Sequence, residues 1–430
     1  MAIKDFFKRN KQGDIEEERY ILSIDGGGMR GIIPAIILDK MATLMEEMGD
    51  NRPFYSHFDL ISGTSTGGLL ALALTVPVQK SELPADTRYV SYIYEQLPQT
   101  LSQKLKRIRG SEQLSGTLPF GVKTNELESL YAIHGKDIFP KSQGRIFSQI
   151  FTDKYDSEPL EKYLKRVFRE IPLSEAQVPV MVMTYDAANG RPFPISSRDS
   201  HGFLFWEAGR ATSAAPTYFK PAFLFDRSEQ TMQTLIDGGM VANNPALFAY
   251  SEAKKLYPNA KKFHILSLST ASSDFNFKIS GSGTGVIGWI DPAKGAPIQK
   301  IYANAQVQTT DVLAQDIPGL LYTRIHGTLG EQVKLDATSP NAIAMMREGA
   351  LGIYRENEDK IRSFATLLTK RVEFDQLKLG PKEVEPIMTK VEPIIEEVSL
   401  NEEVSPSLSP YYSFLNRYGI TDDSNEGATV

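Results

Sequence analysis

The residues best suited to chemistry form two glycine-flanked turns. Gly63-Thr64-Ser65-Thr66-Gly67 matches GxSxG between an apolar run and a helix-like run. Small flanking residues let such a serine sit on a strained turn with its Oγ exposed above a sheet. A serine hydroxyl is a poor nucleophile without a base and a site for the developing oxyanion. Gly28, 37 residues upstream of Ser65, belongs to the run Asp25-Gly26-Gly27-Gly28-Met29-Arg30-Gly31. Consecutive N–H groups of Gly26, Gly27 and Gly28 at a helix N-terminus, joined by the N–H of Thr66, would form an anion hole. The same run reads as GxGxxG, a dinucleotide-binding turn. Two details oppose that reading. Asp25 would face the pyrophosphate, and the second strand ends in Ile61-Ser62-Gly63 rather than in the acidic residue that holds a ribose. A turn that needs glycine only for its backbone is the plainer alternative.

Two residue types could serve as base. His326 follows an apolar run and is the candidate for a Ser–His–Asp triad. His264 lies inside KFHILSL and reads as a packing residue. The stronger candidate is Asp237, which ends Leu235-Ile236-Asp237 and precedes Gly238-Gly239. A carboxylate at a strand end with glycines behind it can approach a serine directly, and partial burial would raise its basicity. The plainer role for Asp237 is a turn residue that caps the next helix.

These groups need a scaffold, and the flanking text supplies one. RYILSID (19–25) and FDLIS (58–62) read as buried strands. Each leads through a glycine turn into a helix: IIPAIILDKMATLMEEM, then LLALAL. Two strand–turn–helix units are the grammar of an α/β sheet, and neighbouring parallel strands would present both turns at one edge. Further strands are expected at 178–186, 192–197, 235–237 and 262–270. Helices are expected at about 297–315 and 340–370, around a hairpin formed by LLYTRIHG and EQVKLD. The stretch 280–288, SGSGTGVIG, reads as a turn region.

Composition removes whole classes of function. The chain has 430 residues, 41% hydrophobic and 23% charged, so a large packed core is available and disorder throughout is excluded. With no cysteine there are no disulfides, thiolate metal sites or cysteine nucleophiles. The five histidines, at 57, 134, 201, 264 and 326, show no ligand spacing, so no metal is expected. No apolar run reaches the 18 or so residues of a membrane span. The net charge is −6, of which −7 falls in residues 371–430, leaving a near-neutral body that argues against nucleic-acid binding. In that acidic region VEPI occurs at 384–387 and again at 391–394, followed by SPSLSP, the text of a loosely attached extension.

The glycine run, the serine turn and the Asp-Gly-Gly turn, in this order, resemble the patatin-like phospholipase family. The likeness covers roughly residues 20–270. It extends to FDLISGTSTGGLLALAL, MVMTYDAANGRPFPISS, EAGRATSAAPTYFKP and LIDGGMVANNPALFAY. The resemblance implies an α/β fold of the patatin-like three-layer type, with a mostly parallel central sheet flanked by helices and a C-terminal helical or mixed extension. It also implies a Ser–Asp dyad of Ser65 and Asp237, with Asp25 to Gly31 as the oxyanion loop and Ala211–Pro216 along the site. Gly63, Gly67, Gly238 and Gly239 match the motif positions around the dyad, while Asp25, Arg30 and Gly31 frame the loop. Arg30 is expected to brace that loop rather than to attract a lipid phosphate. One segment departs from the family: its SLGTG reads Ser267-Leu268-Ser269-Thr270-Ala271 here.

The expected organisation is a polar leader (1–18), a catalytic domain (19–270), a mixed extension packed on the core (271–371) and an acidic tail (372–430). The expected activity is a cytoplasmic serine acyl hydrolase of the phospholipase A or lysophospholipase type, acting on membrane phospholipids without metal or cofactor. A cyclic-nucleotide-gated effector in phage defence is the alternative, with the region after 270 or the basic cluster at 104–109 as sensor. A non-catalytic lipid-binding protein is a further rival. Ile3, Phe6 and Phe7 among Lys4, Lys8, Arg9 and Lys11 could touch an anionic inner membrane face, or form only a disordered leader.

Overall fold

The computed structural model describes residues 17–77, 123–132, 135–139, 154–273, 297–330 and 333–370. The N-terminal segment, the 104–109 cluster, the 280–288 stretch, His134 and the acidic tail lie outside the described residues.

The sheet begins with β1 (Glu18–Ile24), which leads through a turn of 3-10 helix at Gly28–Gly31 into α1 (Ile32–Glu47). Strand β2 (Leu60–Thr64) leads through Ser65 into α2 (Thr66–Thr75). Short helical turns at 124–138 precede α3 (Glu158–Phe168). Then come β3 (Val180–Asp186), β4 (Arg191–Ser196), α4 (Phe205–Thr212), β5 (Ala222–Asp226) and β6 (Thr231–Asp237). Helix α5 (Ala246–Leu256), β7 (Lys262–Leu268), β8 (Ser272–Ser273) and α6 (Pro297–Gln315) follow. The described chain closes with β9 (Leu320–Ile325), β10 (Thr328–Leu329), α7 (Pro340–Glu356) and α8 (Glu358–Thr369).

One eight-stranded sheet organises these elements in the order β5-β6-β3-β2-β1-β7-β9, with β4 also paired to β3. The pairs β1–β2, β1–β7, β2–β3 and β7–β9 are parallel, and those involving β4, β5 and β6 are antiparallel. The central strands are apolar throughout because both faces are covered. Leu22, Ile24, Val180 and Val182 point into the core shared with α1, α2, α7 and α8, while Ile21, Met181 and Ile265 point toward α5. The fold is therefore helix–sheet–helix, the layered α/β architecture expected.

Two details correct the sequence reading. LLYTRIHG and the described part of EQVKLD do not form a hairpin. Residues 320–325 become β9, which pairs in parallel with β7, Ser267 opposite Arg324, and 333–336 is not a strand. The expected helix at 340–370 is two helices, broken at Asn357, whose side-chain amide donates to the carbonyls of Ile353 and His326. Residues beyond 270 thus supply an edge strand of the central sheet and a helix pair against α1.

Candidate active site

The register of β3 explains how two distant motifs meet. Met183 pairs with Thr64 of β2, and the next residue, Thr184, pairs with Asp237 of β6. Because β4 takes the other side of β3, β2 and β6 share one side and arrive from opposite ends. Their termini meet, so Ser65 and Asp237 come together. The Ser65 hydroxyl lies beside the Asp237 carboxylate and helps to hold its pKa down, and that carboxylate accepts the Gly239 N–H at 2.7 Å. Asp237 is 5% exposed, and burial pushes its carboxyl up to about 6 against the opposing pull of the Ser65 hydroxyl and the Gly239 N–H.

Ser65 has φ 53° and ψ −122°, an uncommon conformation for a residue with a side chain. Close packing holds it. A Cβ on Gly63 would lie 2.1 Å from the Gly67 carbonyl oxygen, and one on Gly67 would lie 2.3 Å from that of Ile24. Only glycine allows α2 to start this close to β1 and β2. The Ser65 N–H donates to Thr212 Oγ1 at 2.9 Å, and that hydroxyl donates to the Met183 carbonyl at 2.7 Å. The Ala214 carbonyl accepts the Asp237 N–H at 3.0 Å. The Ala211–Pro216 segment therefore supports both members of the pair from behind. Ser213, Ala215 and Pro216 reach the cavity wall, whereas Ala211 and Ala214 are fully buried.

The glycine run lies against the same serine: a Cβ on Gly26 would stand 3.3 Å from Ser65 Cβ. Its N–H groups are not equivalent. Gly26 N–H donates to the Asn243 carbonyl at 3.0 Å and its own carbonyl accepts from Thr270 Oγ1 at 2.7 Å, so Gly26 anchors the loop and offers no free donor. That corrects its place in the expected anion hole. The N–H groups of Gly27, Gly28 and Thr66 have no acceptor in the hydrogen bonds among the described residues. Gly28 has φ +58°, and any Cβ there would meet the Leu335 carbonyl oxygen at 2.3 Å. Arg30 braces the loop, its Nη1 donating to the Ala271 carbonyl at 3.0 Å and its Nε to that of Gly27 at 3.4 Å. Gly31 leaves room for Thr66 Oγ1, which a Cβ would meet at 2.2 Å. Gly238 passes under the Met183 carbonyl, 2.3 Å from an added Cβ.

Neither candidate histidine joins the pair. His264 stacks on Tyr20 with centroids 4.7 Å apart and meets Glu18 Oε2 at 2.9 Å, at the opposite edge of the sheet. His326 lines the cavity, but no hydrogen bond joins its ring to Ser65 or Asp237 among the described residues. His201, Asp226 and Glu229 are close enough to share an ion, at the end of β6 away from Asp237. There Asp226 Oδ2 meets His201 at 2.5 Å, and Oδ1 accepts the N–H groups of Ser228 and Glu229.

Sequence reasoning missed Arg324. Its guanidinium grips Asp25, Nη1 to Oδ1 at 2.9 Å and Nη2 to Oδ2 at 2.6 Å, across 299 residues of sequence. Burial pushes the Asp25 carboxyl up and Arg324 pulls it back, so the charge is tolerated there as a pair. Thr212 was missed as an individual too, although its segment was singled out.

Ser65, Asp237 and the glycine loop open on a cavity of about 1370 Å³. It exceeds the roughly 300–1,000 Å³ of ordinary small-ligand pockets. Leu69, Leu130, Leu164, Val167 and Phe168 give part of its wall an apolar lining, and Lys154, Asp336, Asp311 and Arg324 give another part charge.

A strained serine beside a buried carboxylate thus faces unpaired N–H groups in a large half-apolar cavity. The patatin-like phospholipase family matches residues 22–250, more than half of the chain, and the chain belongs to that family of lipid acyl hydrolases. It is 28% identical over 320 residues to patatin-like protein 2 of Oryza sativa subsp. indica, spanning 68% of this chain and 71% of the relative. It is 30% identical over 319 residues to patatin-like protein 2 of Arabidopsis thaliana, with 68% and 70% covered. Patatin group D-2 of Solanum tuberosum is 28% identical over 302 residues, with 64% and 67% covered. No helix among the described residues is long and apolar enough to cross a membrane.

Proposed function

We propose that the protein releases fatty acids from membrane phospholipids, as a phospholipase A or lysophospholipase, through a Ser65–Asp237 dyad. The observation that carries the reading is the placement of the Ser65 hydroxyl beside a buried Asp237 carboxylate, at the meeting ends of β2 and β6, with that carboxyl raised to about 6. A carboxylate of that basicity remains ionised at neutral pH and accepts a proton more readily than an exposed one. Asp237 takes the Ser65 proton as Oγ attacks the ester carbonyl. The N–H groups of Gly27, Gly28 and Thr66 stabilise the tetrahedral oxyanion; loss of one such donor raises a barrier by about 3–4 kcal/mol in other hydrolases. Asp237 then protonates the leaving alcohol. In the second half it draws a proton from water, which attacks the acyl-enzyme and frees the fatty acid. The apolar part of the cavity wall suits the acyl chain.

The test is purified protein incubated with mixed phospholipid vesicles, with products identified by mass spectrometry. Free fatty acid from the wild type and none from Ser65→Ala or Asp237→Asn is the expected result. Fatty-acid release by a folded Asp237→Asn variant, with loss on His326→Ala, would replace the dyad with a triad. Parallel incubations with cyclic nucleotides address gating, and activity confined to them would move the protein to the gated class.

A further inference from the structure

In the proposed reaction the groups that stabilise the oxyanion are backbone N–H groups, so their placement depends on whatever fixes the loop from outside. Most of that loop is tied by backbone contacts. Gly26 N–H bonds the Asn243 carbonyl, Met29 N–H bonds the Leu335 carbonyl at 2.7 Å, and Thr270 Oγ1 bonds the Gly26 carbonyl. The root of the loop is Asp25, whose N–H bonds the Leu268 carbonyl at 2.9 Å and whose carboxylate accepts hydrogen bonds from one side chain among the described residues. Arg324, on the edge strand β9, reaches across β7 to close a two-pronged contact on the Asp25 carboxylate, its Nη1 also donating to Ser267 Oγ at 2.8 Å on the way. Its remaining edge faces α6, where Asp311 Oδ1 lies 3.4 Å from Nε. Asp311 is fixed in turn by Tyr322 at 2.5 Å and by Asn244 Nδ2 at 3.1 Å, seven residues beyond Asp237. Two carboxylates therefore claim one guanidinium, and the planar fork of arginine fits Asp25 in a way a lysine ammonium cannot.

We propose that Arg324 is a positioning residue for the oxyanion loop, acting through its fork on Asp25, with Asp311 holding the guanidinium from the α6 side. Arg324 contacts neither Ser65 nor the unpaired N–H groups, so its effect is indirect. The inference rests on the reading of Gly27 and Gly28 as oxyanion donors. Arg324 also lines the cavity, and the competing role for a cation there is to bind a lipid phosphate. Nη1 and Nη2 are taken by Asp25 and Ser267, and Nε makes no hydrogen bond but pairs by charge with Asp311, which favours the clamp.

An uncharged, soluble short-chain p-nitrophenyl ester separates these roles because it has no phosphate. On that substrate Arg324→Ala is expected to lower kcat by about 100-fold, the scale of losing one oxyanion donor, with KM nearly unchanged. Guanidinium ion added to Arg324→Ala restores part of the lost kcat and does nothing for the wild type. Arg324→Ala and Asp25→Asn together cost no more than the worse single variant, since both break one contact. If Arg324→Ala does not fold, Arg324→Lys, which keeps the charge and loses the fork, carries the test, with a fall in kcat expected. Wild-type kcat in either folded variant overturns the clamp. So does a loss confined to phospholipid substrates, or one that adds to Asp25→Asn and is not rescued by guanidinium. A wild-type esterase activity that survives Ser65→Ala would instead overturn the dyad reading itself.

Discussion

At the scale of single residues, the site trades stability for reactivity. Asp237 has its carboxyl pushed from 3.8 to about 6 by burial, so the folded protein binds a proton there that the unfolded chain releases. Stability attributable to this group therefore rises as pH falls from about 7 toward 4, the opposite of a salt-bridged aspartate. Asp237→Asn removes the buried charge and keeps an acceptor for Gly239, so we expect it to gain roughly 1–3 kcal/mol at neutral pH while losing activity. Chemical denaturation of the two proteins at pH 7 checks this, and equal midpoints would contradict it. As the proposed general base, Asp237 must be ionised, so kcat/KM should climb through a single limb near pH 6 and level off above it. A second residue carries visible strain. Ala271, at φ 60°, stands where the family's SLGTG has its last glycine. Ala271→Gly should stabilise the fold by about 0.5–1 kcal/mol, the left-handed strain of alanine outweighing the added freedom of glycine in the unfolded chain. A thermal midpoint unchanged or lowered would show the strain to be absorbed elsewhere.

At the scale of elements, two turns and one register decide the geometry. The serine turn was legible because its requirements are local: small residues on either side of Ser65, between an apolar run and a helix. The glycine run was legible for the same reason, but the division of labour within it was not. Gly26 N–H bonds Asn243, 217 residues away, and no local pattern marks that partner. The Asp-Gly-Gly turn flagged Asp237, yet the reason it meets Ser65 is the shared edge of β3, a fact of pairing rather than of spacing. The mistaken hairpin has the same origin. A short apolar run before Gly327 suits a hairpin or a parallel edge strand equally, and β7 settles the choice. Thr212 offers the sharpest element-scale test, because its hydroxyl links α4 and β3 to the Ser65 turn. Thr212→Val keeps the shape and leaves a buried N–H without an acceptor, a loss of about 1–3 kcal/mol. It should also lower kcat by relaxing the Ser65 turn, measurable on a soluble ester. Full kcat in that variant would mean that glycine packing alone holds the elbow.

At the scale of the whole molecule, the site is built from both ends of the described chain. The family match ends at residue 250, yet β9 completes the sheet beside β7, and α7 and α8 bury Ile343, Met346, Phe364 and Leu368 against the core that contains α1. A chain stopped after residue 273 would expose β7 as a bare edge and uncover that apolar surface. We expect it to be insoluble or unfolded, checked by expression and circular dichroism; a folded, active fragment would show that the later residues are dispensable. The cavity that unites these parts holds Ser65 before Asp237, and the proposed reaction depends on that serine. Its most direct test is covalent labelling with a fluorophosphonate, followed by peptide mass spectrometry. A single adduct on Ser65 is expected, formed faster as pH rises through about 6 and absent from Ser65→Ala. An adduct on any other residue, or undiminished labelling of Ser65→Ala, would contradict it.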